Sequence, residues 1–293
     1  MPRMIDQAFE ELLAKLTPST FESTAAASHR NSILTRLQQD FGSVRRFFRI
    51  GSFGNGTSIS GYSDVDYLAC LPTNQLGESS NYTLTKVRNA LDNRFPSTGV
   101  RVSCPAVVCP FGNIRSETTE IVPADEIGMS PGNHFKVYDI PDCNNGWMKA
   151  SPDAHNAFVA LVDGRLDKKV KPLIRFFKAL KYFQGIPISS FYLEMKIAEY
   201  AAKETSIFYD LDIRIFLQRL LDQSLPDLDD PMGISGKIKP CKSNANRDET
   251  LSKLITASSR AIKAYSAKER GDISEAFHWW DLFFGDKFPN YYY

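Results

Sequence analysis

The sequence is poor in several features that would place it in common classes. It has five cysteines in 293 residues (Cys70, Cys104, Cys109, Cys143 and Cys241). They are odd in number, widely spaced and form no CxxC pair. That pattern reads as reduced thiols in a cytosolic protein without a zinc knuckle, since structural zinc needs four N/S ligands. No stretch approaches the roughly 18 uninterrupted apolar residues of a membrane-spanning helix. The opening MPRMIDQAFEELL mixes charges with apolar residues at helical spacing, unlike a signal peptide. An excess of one charge sign is also missing: 35 Lys and Arg against 34 Asp and Glu give a net +1. This balance argues against a strongly basic nucleic-acid binder and still allows a local basic site. Internal repeats and long low-complexity tracts are absent, and the four histidines, His29, His134, His155 and His278, show no ligand spacing.

What is present is enough for a sizeable core. Hydrophobic residues make up 43% and aromatics 12%, and the length suits about two domains. Ile5, Phe9, Leu12 and Leu16 step by 4, 3 and 4, an amphipathic helix ended by Thr17-Pro18-Ser19, where Thr17 or Ser19 can cap the next helix. Ile33, Leu37 and Phe41 continue a second helical stripe. Val44 to Ile50 is compatible with a strand or a helix end. Val65, Tyr67 and Ala69 alternate with Asp64, Asp66 and Leu68, which predicts a strand. Thr83 to Phe95 reads as a helix, Arg101 to Phe111 as β-rich, and Thr118 to Val122 as a strand stopped by Pro123. Residues 129–152, rich in Gly, Pro and Asn, are expected to be irregular and to hold the domain boundary. Beyond them the chain is mostly helical, with Leu173, Ile174, Phe177 and Leu180 as one buried stripe. The division expected is 1–140 and 141–293, an α+β chain with its strands in the first half. The aromatic tail through Tyr293 could pack on the body or meet a partner.

One constellation carries chemistry. Gly51-Ser52 is followed after eleven residues by Asp64-x-Asp66, with Glu120 on a later strand. Carboxylates at i and i+2 of a strand point to the same face. A third on a neighbouring strand completes a cluster that repels itself unless a cation neutralises it. All-oxygen ligands favour a hard cation such as Mg2+, which commonly binds a few carboxylates plus substrate phosphates. The Gly-Ser turn lets backbone N–H groups and the Ser hydroxyl approach a phosphate. Glu117 and Asp125 lie near Glu120 in sequence; Glu120 is chosen for its position before Ile121-Val122-Pro123. Lys168, Lys171, Arg175 and Lys178 step by 3, 4 and 3 on a face distinct from the apolar stripe, either a solvated face or a seat for a polyanion.

The segment GSFGNGTSISGYSDVD closely resembles the signature of the DNA polymerase β-like nucleotidyltransferases. ETTEIVPA is similar to the strand bearing the third acid in oligoadenylate-synthetase-like enzymes. WMKASPDAHN, KPLIRFFKALKYF and SSFYLEM resemble the helical half of the bacterial CD-NTases. Those are the cyclic-oligonucleotide synthases of anti-phage (CBASS) signalling and relatives of the animal cyclic GMP-AMP synthase. The likeness runs from about Arg45 to Met195, with a weaker echo from Asp230 to Ala267.

The resemblance implies a polymerase β-like core, a mixed sheet with flanking helices, joined to a C-terminal helical domain in a bilobed molecule with a central cleft. It implies that Asp64 and Asp66 hold two Mg2+ ions (Mn2+ being the substitute) and that Glu120 holds only the one activating the attacking hydroxyl. It implies that Gly51 and Ser52 bind the donor triphosphate, reached also by Lys178 and Ser190. The third acid is more familiar as Asp; Glu is longer by roughly 1.5 Å, one C–C bond, so backbone or metal must adjust. Tyr192 is either a base-stacking platform or part of the core.

The expected activity is condensation of nucleoside triphosphates into a cyclic di- or trinucleotide that a downstream effector senses. An RNA or protein activator is envisaged, with a monomeric, cytoplasmic enzyme that does not engage the membrane. The alternatives are nucleotide transfer to a tRNA or protein acceptor, and a non-catalytic nucleotide-binding module.

Overall fold

The computed structural model describes residues 2–292. Among them the chain divides into two compact units, one comprising Pro18–Ala157 with Met232–Ser235 and the other comprising the rest. The boundary near 157 falls inside a helix, not in the 129–152 segment, and the first helix belongs with the C-terminal half. Both points differ from the expected division at 140.

The first unit is built on a seven-stranded mixed sheet. Its helices are α2 (Thr20–Ala25), α3 (Arg30–Phe41), the short α4 (Gly51–Asn55) and α5 (Ser80–Arg94). The strands are β1 (Arg46–Ile50), β2 (Val65–Cys70), β3 (Arg101–Ser103), β4 (Ala106–Pro110), β5 (Thr118–Met129), β6 (Lys136–Pro141) and β7 (Trp147–Ala150). The order is β1-β2-β5-β4-β3, and β6 and β7 continue from β5. Only β2 and β5 run parallel. Strand alternation sorts the residues. Val65, Tyr67, Ala69 and Ile121 enter the core under α3 and α5, with Ile33, Leu37, Leu84 and Val87. Leu68, Cys70 and Ala124 line the opposite face with Tyr138. By the same alternation Asp66 and Glu120 stand on that second face.

Three expectations fail in this unit. Strand β5 continues through Pro123, which pairs with Ala69. Ala124 turns its carbonyl towards β2, accepting from Leu71 N at 3.0 Å, so Pro123 faces the other side. There the β4 pairing has already ended at Ile121, and the missing N–H costs no ladder bond. Residues 136–150 form the β6–β7 hairpin; Asn144, Asn145 and Gly146 sit in its turn, while Pro141 ends β6 paired with Trp147. The thiols are not all free: Cys104 and Cys143 form a disulfide with Cα atoms 5.5 Å apart. Each sits in a turn beside a strand that pairs with β5, an adjacency that cysteine spacing does not reveal.

The second unit contains α1 (Ile5–Leu16), α7 (Val170–Phe183), α8 (Ser190–Ala201), α9 (Tyr209–Asp222), the two-residue strands β8 (Leu228–Asp229) and β9 (Lys237–Ile238), α10 (Asn244–Glu269) and α11 (Ile273–Phe283). Helix α6 (Pro152–Arg165) carries the chain from the first unit into it. Phe9 explains why α1 belongs here. Its ring lies 5.2 Å from those of Phe176, Trp280 and Phe288, aromatic packing that contributes beyond area burial. The aromatic tail packs on the same unit: Phe277 meets Phe288 and Tyr291, and Arg3 N donates to Tyr291 O at 2.8 Å. No described helix is long and apolar enough to cross a membrane.

Candidate active site

Strand β1 ends at Ile50 and the chain turns at once into α4, with Gly51 at φ +58°. That left-handed geometry suits glycine. Glycine is also required by space, because a Cβ here would lie 2.9 Å from Asp66 Cγ. The Asp66 carboxyl therefore lies against the start of the Gly-Ser turn. Asp66 is the Cα partner of Glu120 across the parallel β2–β5 pair, so both side chains leave the same face on adjacent strands. Asp64 lies two residues before Asp66, and all three acids are partly exposed.

The nearby acids are placed differently in the same geometry. Glu117 accepts from Asn113 N at 3.0 Å, closing the turn before β5. Asp125 accepts from Thr73 Oγ1 at 2.8 Å. Glu120 alone of the three is in register with Asp66.

The loop between α4 and β2 has its own anchor. Glu22, at the third position of α2, completes a capping box with Ser19. It also accepts from Ser60 Oγ and Gly61 N, both at 2.8 Å. Burial raises its pKa, but the hydrogen bonds from Ser19, Gly61 and Ser60 outweigh that and hold the carboxyl below its ordinary range. A second anchor is Arg46 on β1, which bonds both Tyr138 and Asp153 at the start of α6.

The donor set fits hard divalent cations: Asp66 and Glu120 in register on one face, Asp64 just before β2, and a glycine beside Asp66 that keeps the approach open. Among the described residues, no group of three or more Asp, Glu, His or Cys side chains is already assembled to hold a metal. Like charges do not gather unaided, and a bound cation would supply the compensation.

In the second unit the expected phosphate ligands fall out differently. Lys178 is buried, at 1% exposure, and ion-paired with Glu194 on α8. It does not share a solvent face with Lys168, which is exposed and precedes α7. Tyr192 is fully buried, and its hydroxyl donates to Pro226 O at 2.7 Å. A ring without an open face cannot stack a base, so the core reading of Tyr192 holds and the stacking role is withdrawn. Ser190 opens α8 and accepts from Lys181 Nζ at 2.6 Å. Lys181, one turn after Lys178, is the residue the sequence reading passed over. Burial first, and then Lys178 and Lys242, push its pKa down to about 8, against Glu194. A half-buried lysine crowded by other cations is suited to an anion.

A Gly-Ser helix start, a DxD strand and a third acid in parallel register define a polymerase β-like nucleotidyltransferase fold. The chain belongs to the Second Messenger Oligonucleotide or Dinucleotide Synthetase (SMODS) family, whose domain model matches residues 4–161, more than half of its length. It is 24% identical over 311 residues to a cyclic AMP-AMP-AMP synthase of Acinetobacter sp., covering 97% of this chain and 85% of the relative. Its fold is similar to E. coli MS115-1 CdnC solved with ATP, with TM-score 0.75 and 15% identity over 97% of this chain and 98% of that one. It is also similar to the Vibrio cholerae DncV cyclic AMP-GMP synthase solved with a linear pppApG intermediate. There the TM-score is 0.65 and the identity 15%, over 97% of this chain and 86% of that one.

Proposed function

We propose that this protein condenses nucleoside triphosphates into a cyclic di- or trinucleotide second messenger with release of pyrophosphate. The observation that carries this reading is the register of Asp66 with Glu120, with the Asp66 carboxyl against Gly51. In each round an acceptor ribose oxygen forms a bond to the donor α-phosphorus. The bond from that phosphorus to the bridging oxygen of the β-phosphate breaks, and the hydroxyl proton is given up to solvent. A second round within one chain of nucleotides closes the ring.

Asp64 and Asp66 would hold both divalent ions, and Glu120 the one beside the attacking hydroxyl. When bound, Mg2+, or Mn2+ in its place, neutralises the triphosphate and leaving pyrophosphate and acidifies that hydroxyl. Gly51 and Ser52 present backbone N–H groups and a hydroxyl to the donor phosphates. Lys181 and Ser190 bind phosphate oxygens, a role moved here from Lys178, whose ammonium is committed to Glu194. Lys178 positions the α7–α8 pair from below. The setting we infer is cytoplasmic anti-phage signalling by a monomer, with an effector that reads the product and an RNA or protein that activates synthesis.

The test is incubation of the purified chain with Mg2+ and labelled nucleotide mixtures, followed by phosphatase. Products that resist phosphatase and lack free ends by mass spectrometry support a cyclase. Asp64→Ala and Asp66→Ala abolish them, and Glu120→Gln lowers the rate by at least about a hundredfold. Unchanged synthesis in either aspartate variant refutes the site.

A further inference from the structure

The loop between β9 and α10 is attached directly to the start of α8. Pro240 O accepts from Ser189 N at 2.7 Å, and Ser189 is the cap of that helix. Ser190, next in sequence, holds Lys181. Two residues beyond Pro240 stands Lys242, exposed at the rim of a cavity of about 210 Å3. Lys239 and Arg247 line the same cavity, and Asp227 is the one acid among its lining residues. Arg247 is occupied with Ser224 O at 2.6 Å.

We propose that Lys242 is a second cation of the phosphate seat formed by Lys181 and Ser190, so that this loop sets how tightly a donor triphosphate is held. The proposal rests on the reading above that Lys181 and Ser190 take phosphates. It goes further in assigning a residue from a different element, outside the segments that carry the family resemblance most strongly. The charge arithmetic favours it. Lys178 and Lys242 both act on Lys181, while Glu194 is the one anion opposing them there. Such an excess is costly in a half-buried place unless an anion fills it. A triphosphate supplies several negative charges at once, and lysine meets phosphate as a flexible point charge. Lys242 is exposed and Lys181 is not, so Lys242 acts at the outer phosphates and Lys181 deeper in.

The charged groups that act on Lys181 are Lys178 on its own helix, Glu194 on α8 and Lys242 on the loop. A triphosphate raises the Lys181 pKa, and the protein takes up a proton when it binds near pH 8. Removing Lys242 relieves part of the repulsion in the free protein, so less proton is taken up.

The experiment is calorimetry on the full chain with AMP and with an ATP analogue carrying a methylene bridge between the α- and β-phosphorus, in buffers of different ionisation enthalpy. Lys242→Ala should weaken the analogue about three- to tenfold. AMP binding should stay unchanged and proton uptake at pH 8 should shrink; Lys242→Arg should restore the analogue. Analogue affinity within about 1.5-fold of wild type in Lys242→Ala, alongside clear weakening in Lys181→Ala, overturns this inference and leaves the phosphate seat standing. Wild-type affinity in Lys181→Ala overturns the seat itself.

Discussion

Gly51→Ala separates backbone strain from active-site displacement, because two costs act at one atom. The first is conformational. At φ +58° an alanine pays about 1–2 kcal/mol for left-handed backbone, and roughly 0.4–1 kcal/mol returns through the lower entropy of the unfolded chain. The net loss of about 1 kcal/mol lowers Tm by about 2–4 °C in a unit of this size. The second cost is displacement. The new Cβ would stand 2.9 Å from Asp66 Cγ, where carbon atoms prefer about 3.5–4.0 Å. Asp66 Oδ2 would stand nearer still, so the carboxyl must move by about 1 Å or more or change rotamer, and misplacement of about 1 Å can cost a hundredfold in rate. Gly99→Ala is the control. It has φ +75° with nothing within 4 Å of its would-be Cβ, so it carries the backbone cost alone. Pyrophosphate release with Mg2+ and thermal melting are measured on both variants. The expected result is two similar Tm losses, near-normal turnover in Gly99→Ala and at least about a hundredfold loss in Gly51→Ala. Turnover within threefold of wild type in Gly51→Ala would refute the claim that the Asp66 carboxyl works from where it lies.

Two further predictions concern residues that hold the site from behind. Glu22→Gln weakens the charge-assisted bonds to Ser60 and Gly61 and should lower stability at pH 7 by about 0.5–1 kcal/mol, allowing for solvent screening. Because the Glu22 pKa is held below its ordinary value of 4.5, its contribution is present above that pH and is lost as pH falls through the lowered value. Urea unfolding of wild type and variant should therefore converge on acidification, and a gap that widens below pH 4.5 contradicts the assignment. Lys178→Met leaves Glu194 buried without its partner and should cost about 3–5 kcal/mol of stability. In the fraction that remains folded at low temperature, the KM for ATP should change less than in Lys181→Ala; the opposite order returns the phosphate role to Lys178.

Much of the sheet unit was legible because its signals are local. The alternation of Val65, Tyr67 and Ala69 against Asp64, Asp66 and Leu68 fixes both a strand and the face on which the acids stand. Of the two cap candidates Thr17 and Ser19, Ser19 caps α2, whereas the duty of Glu22 at Ser60 and Gly61 is not visible in the letters. What failed depended on neighbours. Pro123 looked like a stop because a proline in a central strand loses a ladder bond. Whether it does so depends on which side the residue faces and how far the adjacent strand extends. The β6–β7 hairpin was hidden by the composition of its turns. The Cys104–Cys143 pairing needed the sheet order before it could be seen, and the placement of α1 with the helical unit needed the ring packing of Phe9.

The helical half shows the same limit at a single helical turn. A basic stripe at positions 168, 171, 175 and 178 fits a helix face, yet helix spacing says only which residues align and not whether that face meets water. Lys178 and Lys181 lie three residues apart on α7 and both carry an ammonium. What distinguishes them comes from α8. Glu194, one turn in from the start of that helix, neutralises the first, and Ser190, at its beginning, meets the second with a hydroxyl that carries no charge of its own. Burying a charge demands a partner, and here the partner differs. The Lys178 partner is a fixed side chain, which makes the pair structural. Under the function proposed above, the Lys181 charge meets a phosphate that comes and goes, and its removal should be felt in substrate affinity.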